Sequence, residues 1–497
     1  MPEIIPRWEW RWFGPQFGPA TSILAAMTPS AVQESSETYL LSGAGDNVKV
    51  RDALMDIKVL REVSPDGLEQ WTPVMKAGFP LPATDATKVF ESLRLTPPPM
   101  RRDNYTLEQF IDELAVPSGR IRAISVQKRR TRYRIDGCSG EVTDVVVNGR
   151  PTRTIAVESE DGQAVIAAVC RLGLGGYTNI NYPRGLAALV DGEPSRYAVI
   201  DVGTNSIKFH VAEHAPGGAW RTIVDRAEIT RLGEGLADTQ RISDAALERA
   251  VAALSGMVAE ARKNDVLAIV AVGTAGLRIA ANSAEVLDAI EARAGIRVEV
   301  ISGEDEARLA YLAARSSLGL ADGSMVVFDT GGGSTQFTFG RGADVLERFS
   351  LDIGAVRYTE QFGLDRIVTT DVIGKALAAL STDFARLDGR PAPDALAAMG
   401  GATTNIAAVK HGLARYDPDI VQGTVLERAE IARQIELYRS MDADARRRIV
   451  GLQPKRAEVI LAGACILRTV MGKLGKQSLV VSDRGLRHGV LAERFEG

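Results

Sequence analysis

VVFDTGGGSTQF, residues 326–337, runs an apolar strand into Asp329, three glycines, Ser334, Thr335 and Gln336. Glycine loses the most conformational freedom on ordering, so three in succession cost stability unless bare backbone is needed there. Backbone N–H groups that glycines leave accessible form an anion-binding concavity. A carboxylate at the strand end suits Mg2+, which takes carboxylates, waters and substrate phosphates as ligands. The stretch therefore points to polyphosphate chemistry. Asp329 is one expected metal ligand, and Gly331, Gly332, Gly333, Ser334, Thr335 and Gln336 are expected around the phosphates.

The same grammar occurs earlier, in RYAVIDVGTNSIKFHVAE, residues 196–213. Here the strand ends in Asp201, the second expected Mg2+ ligand, and the turn carries Gly203, Thr204, Asn205 and Ser206, expected around the phosphates. Two hairpins of the form Asp-x-Gly-x-x-Ser predict two similar lobes facing a cleft. A plain hairpin turn is the competing reading of one copy; two copies with matching flanks favour phosphate. The spacing is not that of a P-loop, because G-x-x-x-x-G-K-[ST] does not occur.

Around these hairpins the chain changes character. With 497 residues it is too long for one core, so two or three domains are expected. A net charge of −4 gives no global attraction for nucleic acid or an anionic membrane, and neither is expected as a partner. Cys138, Cys170 and Cys465 form no metal-like cluster and fit a reducing compartment, so the cytoplasm is the expected location. The opening MPEIIPRWEWRWFG lacks the apolar core of a secretory signal. To about Glu193 the sequence reads as short strands between Gly, Pro, Asn and Asp turns, with Asn148-Gly149 marking a hairpin. DGEPSR, residues 191–196, reads as a linker. Beyond it, apolar strands alternate with helix-patterned stretches such as SDAALERAVAALSGMVAEARK, residues 243–263, which argues α/β architecture.

From Arg196 onward the chain resembles the exopolyphosphatase/guanosine pentaphosphate phosphohydrolase (Ppx/GppA) family. IDVGTNSIKFHV, TRLGEGL (230–236), VGTAGLRIAAN (272–282), VISGEDEARLAYL (300–312), FDTGGGSTQF, SLDIGAVRYTE (350–360), GGATTNIAAV (400–409), GLQPKRAEVILAG (451–463) and SDRGLRHGV (482–490) follow in family order. The resemblance implies a two-lobed α/β fold of the actin-like ATPase, ribonuclease H-like type, in a short form without the C-terminal helical domain of longer members. Domains are expected at 194–320 and 321–497. It implies Mg2+-assisted release of a terminal phosphoryl group from inorganic polyphosphate or guanosine pentaphosphate, and a homodimer. Carried onto this chain, the resemblance implies that Glu306 activates the water and that Arg278 contacts phosphate. Read without the family, Glu304, Asp305 and Glu306 are acids at a helix N-terminus, where negative charge is favourable. At position 336 the family usually carries Glu; Gln336 forms hydrogen bonds but bears no charge and cannot act as a base.

Residues 1–193 are expected to form a separate domain. Alternation along a strand puts Lys128, Arg130, Arg132 and Arg134 on one face, Lys49 and Arg51 on another, and Glu158 with Glu160 on a third. This pattern resembles the CYTH, or triphosphate-tunnel, family. The resemblance implies an antiparallel β-barrel in an α+β domain whose basic lumen takes an anionic chain or triphosphate. A solvated basic edge strand and a nucleic-acid patch are the competing readings. The family opens with E-x-E-x-K; here Glu9 and Arg11 fit, but Arg7 stands in place of the first Glu.

Overall fold

The computed structural model describes residues 5–43, 45–204, 206–215, 220–234, 236–319, 323–332, 334–342 and 344–495. Asn205 and Gly333, both expected phosphate contacts, lie outside the described residues. Two compact units form: residues 1–300 with 494–497, and residues 301–493.

The first unit opens with a closed antiparallel barrel. Its strands are β1 (Arg7–Phe13), β2 (Ala31–Leu41), β3 (Asn47–Arg51), β4 (Leu54–Val63), β5 (Glu69–Gly78), β6 (Arg122–Ile135), β7 (Cys138–Val147) and β8 (Arg150–Ser159). They close in the order β1-β8-β7-β6-β2-β3-β4-β5. Asn148 and Gly149 join β7 to β8 with φ of 47° and 84°, the left-handed pair that a tight hairpin demands. Helix α1 (Gly162–Arg171) follows, capped by Asp161. Helix α2 (Tyr182–Asp191) packs Tyr182 and Leu186 onto Tyr39, Leu41, Ile124, Val126, Val145 and Val147. One end of the barrel is thus filled by apolar side chains, while β6 changes from Ile124 and Val126 to Lys128 and Arg130 toward the other.

The same unit continues into a five-stranded sheet of β9 (Ser195–Val202), β10 (Ser206–His214), β11 (Trp220–Ile229), β12 (Ala268–Gly273) and β13 (Val298–Val300). Its order is β11-β10-β9-β12-β13, with β12 parallel to β9 and to β13. Helix α3 (Asp244–Lys263), capped by Ser243, lays Ala246, Ala250, Leu254, Met257 and Ala261 against it. Two more helices, α4 (Ala275–Ile279) and α5 (Ser283–Ala294), lie between β12 and β13 in the chain.

The second unit begins with α6 (Gly303–Ser317) and then repeats the plan. Its strands are β14 (Ser324–Thr330), β15 (Thr335–Arg341), β16 (Asp344–Leu351), β17 (Ala395–Met399), β18 (Val425–Glu427) and β19 (Ser478–Val481). They run β16-β15-β14-β17-β19-β18, again with an antiparallel triplet joined to parallel strands. Helices α7 (Ala355–Phe362), α8 (Gly401–His411) and α9 (Ile460–Lys473) cover this sheet, and α9 is buried along almost its whole length. Both sheets are therefore built alike, as the repeated hairpin motif implies. Among the described residues no helix is long and apolar enough to cross a membrane.

Candidate active site

The first hairpin joins β9 to β10. Ala198, Val199 and Ile200 are fully buried, which anchors the strand up to Asp201, itself 5% exposed. Asp201 faces Lys208 across the pair, and Lys208 Nζ donates to Asp201 Oδ2 at 3.3 Å. Gly203 N–H donates to Ser206 O at 3.2 Å and closes the turn. Two other motifs meet at Thr204. Gly233 N–H donates to Thr204 O at 2.8 Å, and a Cβ on Gly233 would stand 2.2 Å from Thr204 Cγ2. A Cβ on Gly276 would stand 2.9 Å from Thr204 Oγ1. Bare backbone at 233 and 276 thus makes room for the turn. Arg278, an exposed residue of α4, follows Gly276 by two positions.

The second hairpin joins β14 to β15. Phe328, Phe337 and Phe349 stack across three strands, with centroids 5.7 Å and 5.2 Å apart. Gly331 N–H donates to Ser334 O at 2.9 Å, the counterpart of the bond between Gly203 and Ser206. The first N–H groups of α7 donate into the turn, Ala355 to Gly331 O at 3.0 Å and Val356 to Gly332 O at 2.9 Å. Gln336 faces Asp329 across the pair, at the position that Lys208 holds opposite Asp201. Its Nε2 donates to Ser334 Oγ at 2.9 Å. A hydroxyl that accepts a hydrogen bond keeps its own O–H available to donate, so this contact leaves Ser334 a donor. Thr335, expected to contact phosphate, is instead fully buried, and its hydroxyl donates to Ile353 O at 2.6 Å. It serves the framework because strand alternation turns it inward.

Gly400, at φ +94°, precedes α8, and a Cβ there would come within 2.5 Å of Asp329 Oδ1. At Gly401 a Cβ would meet the Arg456 guanidinium at 2.5 Å. An exposed cation, absent from the sequence-based expectations, therefore lies against the backbone next to the glycine that accommodates Asp329. The signal available in the sequence was the Gly400-Gly401 pair.

Glu306 occupies the first turn of α6, half-buried. Ser302 caps that helix by accepting from Asp305 N–H at 3.0 Å. Asp305 also accepts from Ser302 Oγ at 2.8 Å, and Glu304 lies 3.5 Å from Arg348. These two acids have local structural partners. The inner face of α6, with Tyr311 and Ala314, packs on Met325 and Val327 of β14, the strand that ends at Asp329.

The family model for the Ppx/GppA phosphatases matches residues 210–496, more than half of the chain. The chain belongs to the Ppx/GppA phosphatase family. It is 33% identical to the Ppx/GppA phosphatase of Aquifex aeolicus in its type II variant, with a TM-score of 0.57, covering 60% of this chain and 99% of that one. An exopolyphosphatase from Cytophaga hutchinsonii shares the fold at 23% identity and a TM-score of 0.50, over 60% of this chain and 96% of that one. A bifunctional 3-dehydroquinate synthase/phosphatase of Fusobacterium nucleatum is 28% identical over 316 residues, 60% of this chain. The chain spans 46% of that relative's length.

The barrel precedes the Ppx/GppA match, and its interior is charged. Arg11 is buried and donates to Glu9 at 2.8 Å, Glu141 at 3.0 Å and Thr154 at 3.1 Å. Lys49 and Lys128 donate to Glu37 at 3.1 Å and 3.0 Å, and Arg130 donates to it as well. Arg51 lies 3.6 Å from Asp56. Burial opposes the ionisation of Glu37, yet the charges of Lys128, Lys49 and Arg130 outweigh it and hold the carboxyl far below the usual range. Burial, with the charge of Lys49, pushes Lys128 well below an ordinary ammonium. Glu158 pairs with Arg7 at 3.2 Å near the open end. Arg132 shares the face of Arg130 but is exposed at the rim. Glu160, expected beside Glu158 on one strand face, lies past the end of β8 and is exposed, because the chain turns there into the Asp161 cap of α1. Sequence reading missed Glu37 and Glu141, each of which forms ion pairs with lumen cations.

Proposed function

We propose that this protein is a cytoplasmic phosphohydrolase that releases terminal phosphate from inorganic polyphosphate, with a barrel module at 1–193 ahead of two hairpin-bearing lobes; the helix Gly303–Ser317, expected to close the first lobe at 320, belongs to the second unit. Family membership supports the reaction class. The observation that carries the reading is the acid-tipped glycine hairpin built twice with one register, Asp201 opposite Lys208 and Asp329 opposite Gln336.

In this reading Gly331, Gly332 and the Ser334 hydroxyl bind phosphoryl oxygens in the second unit, and Gly203, Thr204 and Ser206 do so in the first. Arg278 offers charge to the developing transition state. Glu306 orients a water and takes its proton. The donor set suits Mg2+: an oxygen-bearing strand end at Asp329, with room that only glycine at 400 leaves. A bound Mg2+ supplies Lewis-acid charge at the phosphoryl oxygens. The neutral Gln336 beside Asp329 supports a second reading, a binder of polyphosphate or guanosine pentaphosphate with slow turnover.

Phosphate release from long-chain polyphosphate and from guanosine pentaphosphate, each with Mg2+, separates these readings. The proposal expects turnover of polyphosphate that Glu306→Gln removes. Tight binding of either compound with no release above that variant favours the binder.

A further inference from the structure

In the first unit's barrel, cations that a tunnel would offer to an external anion converge on one carboxylate of the chain itself. The Glu37 side chain is 0% exposed, and Lys49, Lys128 and Arg130 all donate to it. Arg51 stands 3.9 Å away. The floor below is aromatic: Tyr39 and Tyr182 stack with centroids 5.4 Å apart, and Lys128 Nζ lies 3.5 Å from the Tyr182 ring. Nothing in this arrangement is a solvated surface network.

The other buried lumen cations are paired as well. Arg11 pairs with Glu9 and Glu141, and Arg51 with Asp56. Glu69, 6% exposed and directly across from Glu9, adds a further carboxylate, which accepts from Asn181 at 2.9 Å. The most buried lumen cations, Arg11, Lys49, Arg51, Lys128 and Arg130, thus each have a carboxylate beside them, while Lys58 and Arg132 continue the same faces toward solvent. Cations already paired with buried carboxylates offer a polyanion little net attraction at that depth. To enter, a triphosphate would have to displace buried carboxylates from their partners, leaving them charged and unpaired, which is strongly unfavourable.

We infer that Glu37 is a built-in counter-anion: it fills the oxyanion site formed by Lys49, Lys128 and Arg130, and the barrel of this protein takes no inorganic triphosphate while that carboxylate is in place. The site is latent. Neutralising Glu37 frees three converging cations, a set suited to a phosphate oxygen. This departs from what the resemblance to a triphosphate tunnel implies, and it stands apart from the chemistry proposed for the glycine hairpins.

The test counts triphosphate sites on the full-length chain by calorimetry. Wild type and Lys128→Met should bind the same number of inorganic triphosphates, since the lumen supplies none. Glu37→Gln should gain one site, and adding Lys128→Met should remove it. Loss of a wild-type site in Lys128→Met, or no gain in a folded Glu37→Gln, overturns the inference. Hydrogen exchange on the wild type needs no variant. Amides of residues 31–41 and 122–135 should exchange at the same rate with and without saturating triphosphate, and slowing there also overturns it.

Discussion

The two Asp-tipped hairpins share a register and differ in one charge. Opposite Asp201 stands Lys208, already hydrogen-bonded to it; opposite Asp329 stands the neutral Gln336. A cation at the facing position competes with a metal ion for the carboxylate, whereas an amide does not. The lesson is that a repeated motif does not imply a repeated role. In the proposed function the first hairpin grips anions through its backbone and hydroxyls, and the second holds a divalent cation as well. Its supporting strand is also the one on which the Glu306 helix packs.

The largest expected effect sharpens that division. Glu306→Gln should lower phosphate release by about 10²–10⁴-fold, the range for removing a general base, without moving the melting temperature. A smaller loss would detach the chemistry from the second hairpin. Next is Gly400→Ala, whose Cβ would crowd Asp329 Oδ1 at a positive φ. Strain and overpacking there should cost about 1–3 kcal/mol in a denaturant melt and weaken Mg2+ activation. Gln336→Lys copies the first hairpin's charge into the second. It should raise the Mg2+ concentration for half-activation by about tenfold, equivalent to about 1.4 kcal/mol. The smallest effect belongs to Lys208→Gln. Its side chain is 47% exposed, so solvent screening limits the loss to about 1 kcal/mol or less, read by thermal melting.

Much of this was legible in the sequence because it rests on local rules. Strand, Asp, glycine turn and strand follow one another in both hairpins, and the left-handed pair Asn148-Gly149 fixes its own turn. Alternation correctly put Lys128 and Arg130 on an inward face. It did not reveal Glu37, which lies 91 residues from Lys128 in sequence and meets it only when β2 pairs with β6. Arg132 obeys the same alternation yet reaches the rim, because a period of two gives a face and not a depth. Thr335 looks like a phosphate donor until its neighbours are known; burial then gives its hydroxyl to Ile353. The glycines at 233, 276 and 400 fall in motifs visible in the sequence, but the segment that passes close to each is visible only in the fold.

The most direct test is a Mg2+ titration of phosphate release from inorganic polyphosphate, run in parallel on Asp201→Asn and Asp329→Asn. Unequal hairpins predict that Asp329→Asn loses about 10²–10³-fold in rate and most of its Mg2+ response. Asp201→Asn should keep the wild-type Mg2+ half-activation. Equal losses and equal shifts in Mg2+ dependence at the two aspartates would contradict the account.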